Sequence, residues 1–246
     1  MSDQIVTLNE RFKAFLYHLS FSVLLLILSL FLILYVWYPG ALKYATGVLG
    51  VYGMLLVIDL ILGPMLTALV YKKHRAKFIF DMIIILIIQI SAFLFGLYTL
   101  EKGRPAWLVF VIDDFEIVSK SDLDAQVAIP EQFKIGFLDK PMWVAAVYSD
   151  DPLVKKQQQE DEIFNGISLT TRPDSYKSID VKTNSILDKM QPLSKLAQYN
   201  SLNDQDLNDF KQFNGWLPLK APEVDMVVLI DVKGLPTKIV NLRPWE

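Results

Sequence analysis

GVLGVYGMLLVIDLILGPMLTALVYKKHRAKFIFDMIIILIIQISAFLFGLYTL, residues 47–100, decides how the rest of the chain is read. Two apolar runs flank the basic loop Lys72-Lys73-His74-Arg75-Ala76-Lys77. At 1.5 Å rise per residue, each run is about long enough to cross a hydrocarbon core of ~30 Å. Lys and Arg in short loops stay on the cytoplasmic side, because carrying them across a bilayer is unfavourable. The loop is therefore expected inside, and the far ends of both runs outside.

The orientation extends in both directions along the chain. Residues 1–13 are polar and close on Glu10-Arg11-Phe12-Lys13, and an uncharged run follows over 14–38. That run is longer than the apolar core of a cleaved signal peptide, and Tyr35-Val36-Trp37-Tyr38-Pro39-Gly40 is a poor cleavage site. A retained first crossing is expected, with Arg11 and Lys13 holding its start in the cytoplasm and Tyr35, Trp37 and Tyr38 forming an aromatic belt at its outer end. The predicted organisation is a cytoplasmic N-terminus (1–13), a bundle of three transmembrane helices (14–38, 45–71 and 78–100) and one periplasmic α+β domain (101–246). The location that follows is a bacterial inner membrane crossed several times.

The apolar runs carry a few residues that do not belong in lipid. Gly47, Gly50 and Gly53 fall on part of one helix circumference, a flat face for the chain's own first or third helix or for a partner's helix. Asp59 sits near mid-depth, where a charge is costly, so it must face protein or water or be protonated. Gly63 and Thr67 share its face, and Pro64 removes a backbone donor and is expected to kink the helix. In the third run, Asp81, Gln89, Ala92, Gly96 and Thr99 cluster on one side, as do His18, Ser22 and Ser29 in the first. A bundle with these stripes inward follows. The simplest expectation for Asp59 is a hydrogen bond to Gln89, in which case Asp59→Asn preserves folding better than Asp59→Leu. A contact with a partner's helix and a proton or ion path are the alternatives.

After Glu101-Lys102-Gly103-Arg104-Pro105 the pattern changes. Runs at 107–112 and 115–118, either side of Asp113-Asp114, read as a hairpin, and 143–148 as a further strand. Asp151-Pro152 reads as an N-cap followed by proline at the first helical position, with Asn165-Gly166 as the stop. Helical spacing over 185–199 is interrupted by Pro192. Ser201-Leu202-Asn203-Asp204 resembles a capping box for a short helix burying Leu207 and Phe210. A last hairpin, 226–231 and 238–242, turns at Lys233-Gly234.

Charge and composition exclude several functions. The chain of 246 residues carries a net charge of −3 and no cysteine. The first 100 residues are net basic, so the remainder is acidic, which argues against a nucleic-acid partner. Both histidines, His18 and His74, precede residue 101. Residues 101–246 therefore lack serine–histidine triads, cysteine nucleophiles and the usual zinc ligands. Asp113-Asp114 is explained as a turn. Asn203-Asp204-Gln205-Asp206 with Asp209 lacks the glycine and distal glutamate of a calcium loop. No catalytic residue, cofactor site or metal site is expected, and the acidic, aromatic-rich exterior reads as a binding surface.

The combination Trp37-Tyr38-Pro39-Gly40, Asp59-Leu60-Ile61-Leu62-Gly63-Pro64-Met65-Leu66-Thr67, Gly96-Leu97-Tyr98-Thr99-Leu100, Gly103-Arg104-Pro105-Ala106-Trp107-Leu108-Val109-Phe110 and the closing Leu242-Arg243-Pro244-Trp245 resembles the type IV pilin accessory proteins of the TfpX/TfpZ kind. The resemblance runs nearly end to end and implies support for assembly or display of a cognate type IV pilin at the inner membrane. It brings no catalytic residues. Its matched positions direct attention to Asp59, Gly63 and Pro64 and to the Arg104–Trp107 junction as partner contacts. A pilin of that class offers one apolar helix and a globular head, and Asp81, near the cytoplasmic end, is placed to meet its terminal amine. An enzyme acting on the pilin and a small-molecule sensor or transporter are the competing classes.

Overall fold

The computed structural model describes residues 2–70, 78–124, 127–203 and 208–245, so the basic loop at 72–77 lies outside the described residues. The chain divides into two compact units, Met1–Ile33 with Val48–Glu101, and Leu34–Gly47 with Lys102–Glu246.

The first unit is helical. It comprises α1 (Ser2–Phe31), α3 (Val48–Val57), α4 (Gly63–Val70) and most of α5 (Phe78–Lys102); the short α2 (Leu42–Ala45) belongs to the other unit. Three stretches, Phe12–Trp37, Val48–Leu69 and Phe80–Lys102, are long and apolar enough to cross a membrane by length and composition. Helix α1 also takes in the polar N-terminal residues that the sequence reading sets apart. The expected distortion at Pro64 takes the form of a π-helical turn, Ile58–Leu62, between α3 and α4. Proline lacks the N–H that would bond four residues back, and a wider turn on its N-terminal side absorbs the mismatch. Helix α1 packs against α4 and the π turn. In α5, only 6% of the most apolar window is buried, so most of its apolar surface is left uncovered by the chain itself.

The second unit is α+β. Its strands are β1 (Pro105–Val111), β2 (Asp114–Ser119), β3 (Met142–Ala146), β4 (Tyr176–Ser178), β5 (Gly215–Lys220), β6 (Met226–Ile230) and β7 (Pro236–Val240). They form one mixed sheet ordered β4-β3-β1-β2-β5-β6-β7, with β1–β3 and β2–β5 parallel and the other pairs antiparallel. Side chains alternate across a strand. Leu108 and Phe110 therefore enter one core with Phe115, Leu217, Val228 and Ile186. Trp107 and Val109 enter another with Val118, Val144, Leu169 and Tyr176.

Local signals placed several elements. Asp151 caps α6 (Pro152–Phe164), its carboxylate accepting from the N–H of Leu153 at 2.8 Å. Pro192 separates α7 (Thr183–Lys189) from α8 (Leu193–Asn200). Gly234 takes φ +80° in the β6–β7 turn, where a Cβ would lie 2.6 Å from the Thr183 carbonyl. Other expectations change. The first hairpin turns on Ile112 and Asp113 rather than on Asp113-Asp114, because Asp114 already pairs with Val111. Ser201, at φ +50°, ends α8 instead of starting a helix. Leu207 and residues 204–206 lie outside the described residues.

Residues 34–47 are more than a turn between two crossings. Leu42 and Ala45 are buried in the sheet's core, and the Ala45 carbonyl accepts from the N–H groups of Glu223 and Val224 at 3.0 and 3.2 Å. Gly47, at φ +68°, precedes α3 and faces the Glu223 side chain, so it is no part of a helical glycine face. The expected aromatic belt is reduced to Tyr35, which is exposed. Trp37 and Tyr38 are buried, and the Trp37 indole donates to the Phe137 carbonyl at 2.7 Å.

Candidate functional site

The site grows out of the π turn. Asp59, Gly63, Pro64 and Thr67 are all buried, as their shared face requires. Thr67 Oγ1 is 2.6 Å from His18 Nδ1, and His18 Nε2 meets Gln89 Oε1. An amide oxygen only accepts, so in the neutral ring Nε2 carries the proton and the Thr67 hydroxyl donates to Nδ1. Gln89 Nε2 donates to Ser22 Oγ at 3.0 Å and to the Asp59 backbone carbonyl at 3.3 Å. A Cβ on Gly63 would come within 2.7 Å of the Gln89 amide, so the glycine makes room for this contact. About two turns beyond Ser22 along α1, Ser29 Oγ and Tyr52 Oη lie 3.1 Å apart and both donate to the Leu26 carbonyl. The inward stripes on the first two helices thus become a hydrogen-bonded seam.

The expected Asp59–Gln89 bond takes a different form. Gln89 reaches the Asp59 backbone, and neither carboxylate oxygen of Asp59 has a hydrogen-bond partner among the described residues. Only 3% of Asp59 is exposed. Two apolar grooves meet it. One, narrow, runs past Phe21, Ser22, Leu86 and Phe93. The other, wider, lies between α3 and α5 along Val51, Leu55, Ala92, Phe95 and Thr99. Gly96 is filled by the Leu55 side chain, whereas Ala92 and Thr99 stay exposed. A Cβ at Gly50 or Gly53 would meet no atom within 4 Å among the described residues, so neither packs closely against the described parts of the first or third helix. Asp81 occupies the first turn of α5, eight residues before Gln89 and about 12 Å from it along the axis, outside this cluster.

Arg104 and Trp107 are fully buried, which removes both from any partner surface. The Arg104 guanidinium donates to the carbonyls of Asp139 at 2.5 Å and Gly136 at 2.6 Å and stacks 5.6 Å from the Trp37 ring centroid. Trp107 Nε1 donates to the Phe133 carbonyl at 2.9 Å. Both serve the fold, and the Arg104–Trp37 stacking with the Trp37 bond to Phe137 ties residues 34–47 to the rest of the second unit.

That unit has an open cleft at the C-terminal ends of the parallel strands β1 and β3, lined by Ile112, Tyr148, Asp150, Lys155, Glu162 and Lys182 among others. Tyr148 donates to the Glu162 carboxylate, which pushes the phenol up to about 12. Elsewhere Lys220 pairs with Asp114 at 2.5 Å; this hydrogen bond raises the Lys220 amine, while burial raises the Asp114 carboxyl against the pull of Lys220. Arg172 pairs with Asp161 and, at 3.4 Å, with Asp174. No group of three or more His, Asp or Glu able to hold a metal ion occurs among the described residues.

The chain is similar to three proteins of Dichelobacter nodosus. It is 26% identical over 245 residues to the fimbrial assembly protein of serogroup E1, covering 98% of this chain and 93% of the relative. It is 25% identical over 196 residues to the protein of serogroup I, covering 77% and 76%. To the fimbrial assembly protein of serogroups C1 and C2 it is 33% identical over 108 residues, 43% of this chain and 82% of the relative. No protein-family model matches the chain. No solved structure matches it either. Since the first of these likenesses spans both units and the third covers most of its relative, the chain belongs to the family of fimbrial assembly proteins.

Proposed function

We propose that this protein is an inner-membrane accessory protein of the TfpX/TfpZ kind that assists assembly or display of a cognate type IV pilin without acting as an enzyme. The observation that carries the reading is the near full-length likeness to a fimbrial assembly protein, in a chain with three helices apolar enough to cross a membrane. In this reading the helices span the bilayer, the N-terminus and the basic loop stay in the cytoplasm, and the α+β unit stands in the periplasm. The helical unit holds the pilin's membrane helix before it enters the fibre, and the α+β unit meets the globular head. Gly50 and Gly53 support this role, because a face without side chains lets a second helix approach closely.

Site-directed crosslinking tests it. Photoreactive residues at Gly50 or Gly53, in cells making the cognate pilin, should yield adducts at the combined mass. A change in the pilin's own mass that depends on this protein would instead favour a modifying enzyme. Reporter fusions beyond Trp107 that are active only in the cytoplasm would overturn the orientation.

A further inference from the structure

The polar groups around Asp59 are matched to one another within the chain. His18, Ser22, Thr67 and Gln89 bond among themselves, and Ser29 and Tyr52 both donate to the Leu26 carbonyl. The Asp59 carboxylate is the exception, at 3% exposure and with no hydrogen-bond partner on either oxygen among the described residues. A buried carboxylate left in that state is unfavourable in any apolar surrounding. Its oxygens accept, so the group that would complete it is a donor.

We propose that the groove between α3 and α5 seats a single apolar partner helix carrying a side-chain N–H or O–H donor, and that this donor completes Asp59. This deepens the pilin-holding role and rests on it, the occupant being the pilin's membrane helix. The groove's shape and chemistry fit a helix. Apart from Asp59 and the Phe95 ring, its walls are aliphatic or small (Val51, Leu55, Ile58, Ala92, Gly96 and Thr99), and it extends over about two turns of α5. Ala92 and Thr99 are exposed along its open side, giving a neighbouring backbone close access. A lipid chain would fill the walls and leave the carboxylate unmatched. The carboxylate selects for a donor and disfavours a helix that is apolar throughout.

The test uses the full-length protein in native membranes with the cognate pilin. A photoreactive residue at Ala92 should give an adduct at the mass of this protein plus pilin. Asp59→Asn, which keeps an acceptor, should retain at least half of it, and Asp59→Leu should lower it at least fivefold with the protein at normal abundance. Thr99→Trp, which fills the groove without touching Asp59, should also lower it at least fivefold; this covers the case in which Asp59→Leu fails to accumulate. An Ala92 adduct unchanged by Asp59→Leu or by Thr99→Trp overturns the proposal, as does an adduct at twice this chain's mass. If Gly50 and Gly53 still crosslink to pilin in those cases, the pilin-holding role stands and only the seat is wrong. Absence of pilin adducts at all three positions overturns both.

Discussion

Arg104 and Asp59 are both almost fully buried, and their surroundings could hardly differ more. In the α+β unit Arg104 has two backbone carbonyls and an indole face arranged around it. In the helical unit Asp59 has the amide of Gln89 beside it, and that amide bonds the backbone instead of the carboxylate. In the first, the chain itself supplies acceptors to both terminal nitrogens of the guanidinium, and only Nε is without one among the described residues. The second is a carboxyl group that has no hydrogen-bond partner among the described residues. A buried charge with its partners in place stabilises one arrangement of the chain, whereas one without partners lowers stability and gains if something else binds. On our proposal, the contrast separates a residue that serves the fold from one that serves recognition.

The largest effect is expected on the closed side of that contrast. Arg104→Leu removes the donors to Gly136 and Asp139, leaves two buried carbonyls unmatched and should cost about 3 kcal/mol. All five tryptophans (Trp37, Trp107, Trp143, Trp216 and Trp245) lie in the α+β unit, so intrinsic fluorescence during denaturant unfolding of the whole protein in detergent reads this unit. A loss below about 1 kcal/mol would erase the distinction, since a cation on the surface costs little to remove.

In the helical unit, Gln89→Leu breaks the contacts to His18 and Ser22 and should cost about 1 kcal/mol, the scale of hydrogen bonds between membrane helices. Resistance to unfolding in graded SDS would show it. Asp59→Leu should change stability less, by under about 1 kcal/mol and in the stabilising direction, because it removes an unmatched polar group. Asp59→Asn should fall at or below Asp59→Leu. This reverses the ranking expected from an Asp59–Gln89 bond. If Asp59→Leu alone abolished membrane accumulation, Asp59 would have a partner inside the chain, and the contrast with Arg104 would fail.

The smallest effect concerns the rim of the α+β cleft. Tyr148 should ionise near pH 12, read by phenolate absorbance, and Glu162→Ala should return it toward the ordinary tyrosine value. A raised pKa means that the pair's contribution is complete below the ordinary tyrosine value and disappears as pH rises through about 12. The gain is small because the pair lies near solvent.

Much of the architecture was legible because its causes are local. Apolar length marked the three helices, and Asp151-Pro152 marked the start of α6 through a carboxylate two residues from the N–H it accepts. The spacing of Asp59, Gly63 and Thr67 put them on one buried face. Gly47, Gly50 and Gly53 show where spacing misleads: equal intervals suggested one surface, but Gly47 adopts a left-handed turn outside the helix. Trp37 and Tyr38 had the composition of a membrane-interface belt and are core residues instead. Arg104 and Trp107 stood in a distinctive motif because they hold the fold. The motif marked importance but not exposure. Pro64 was the one local signal for the π turn, and it announced a distortion without specifying its kind.

The sequence by itself determined where the chain is apolar enough for long helices, where those helices carry polar residues, and which end of the chain forms a separate α+β unit. These follow from transfer free energies and backbone preferences that act over a few residues. Only the tertiary structure decided which buried polar groups are satisfied. Trp37 bonds a carbonyl 100 residues away, Arg104 reaches 32 and 35 residues, and His18 meets Gln89 across 71. Such partners are chosen by packing, and packing gave Arg104 its carbonyls and, among the described residues, left Asp59 without a donor.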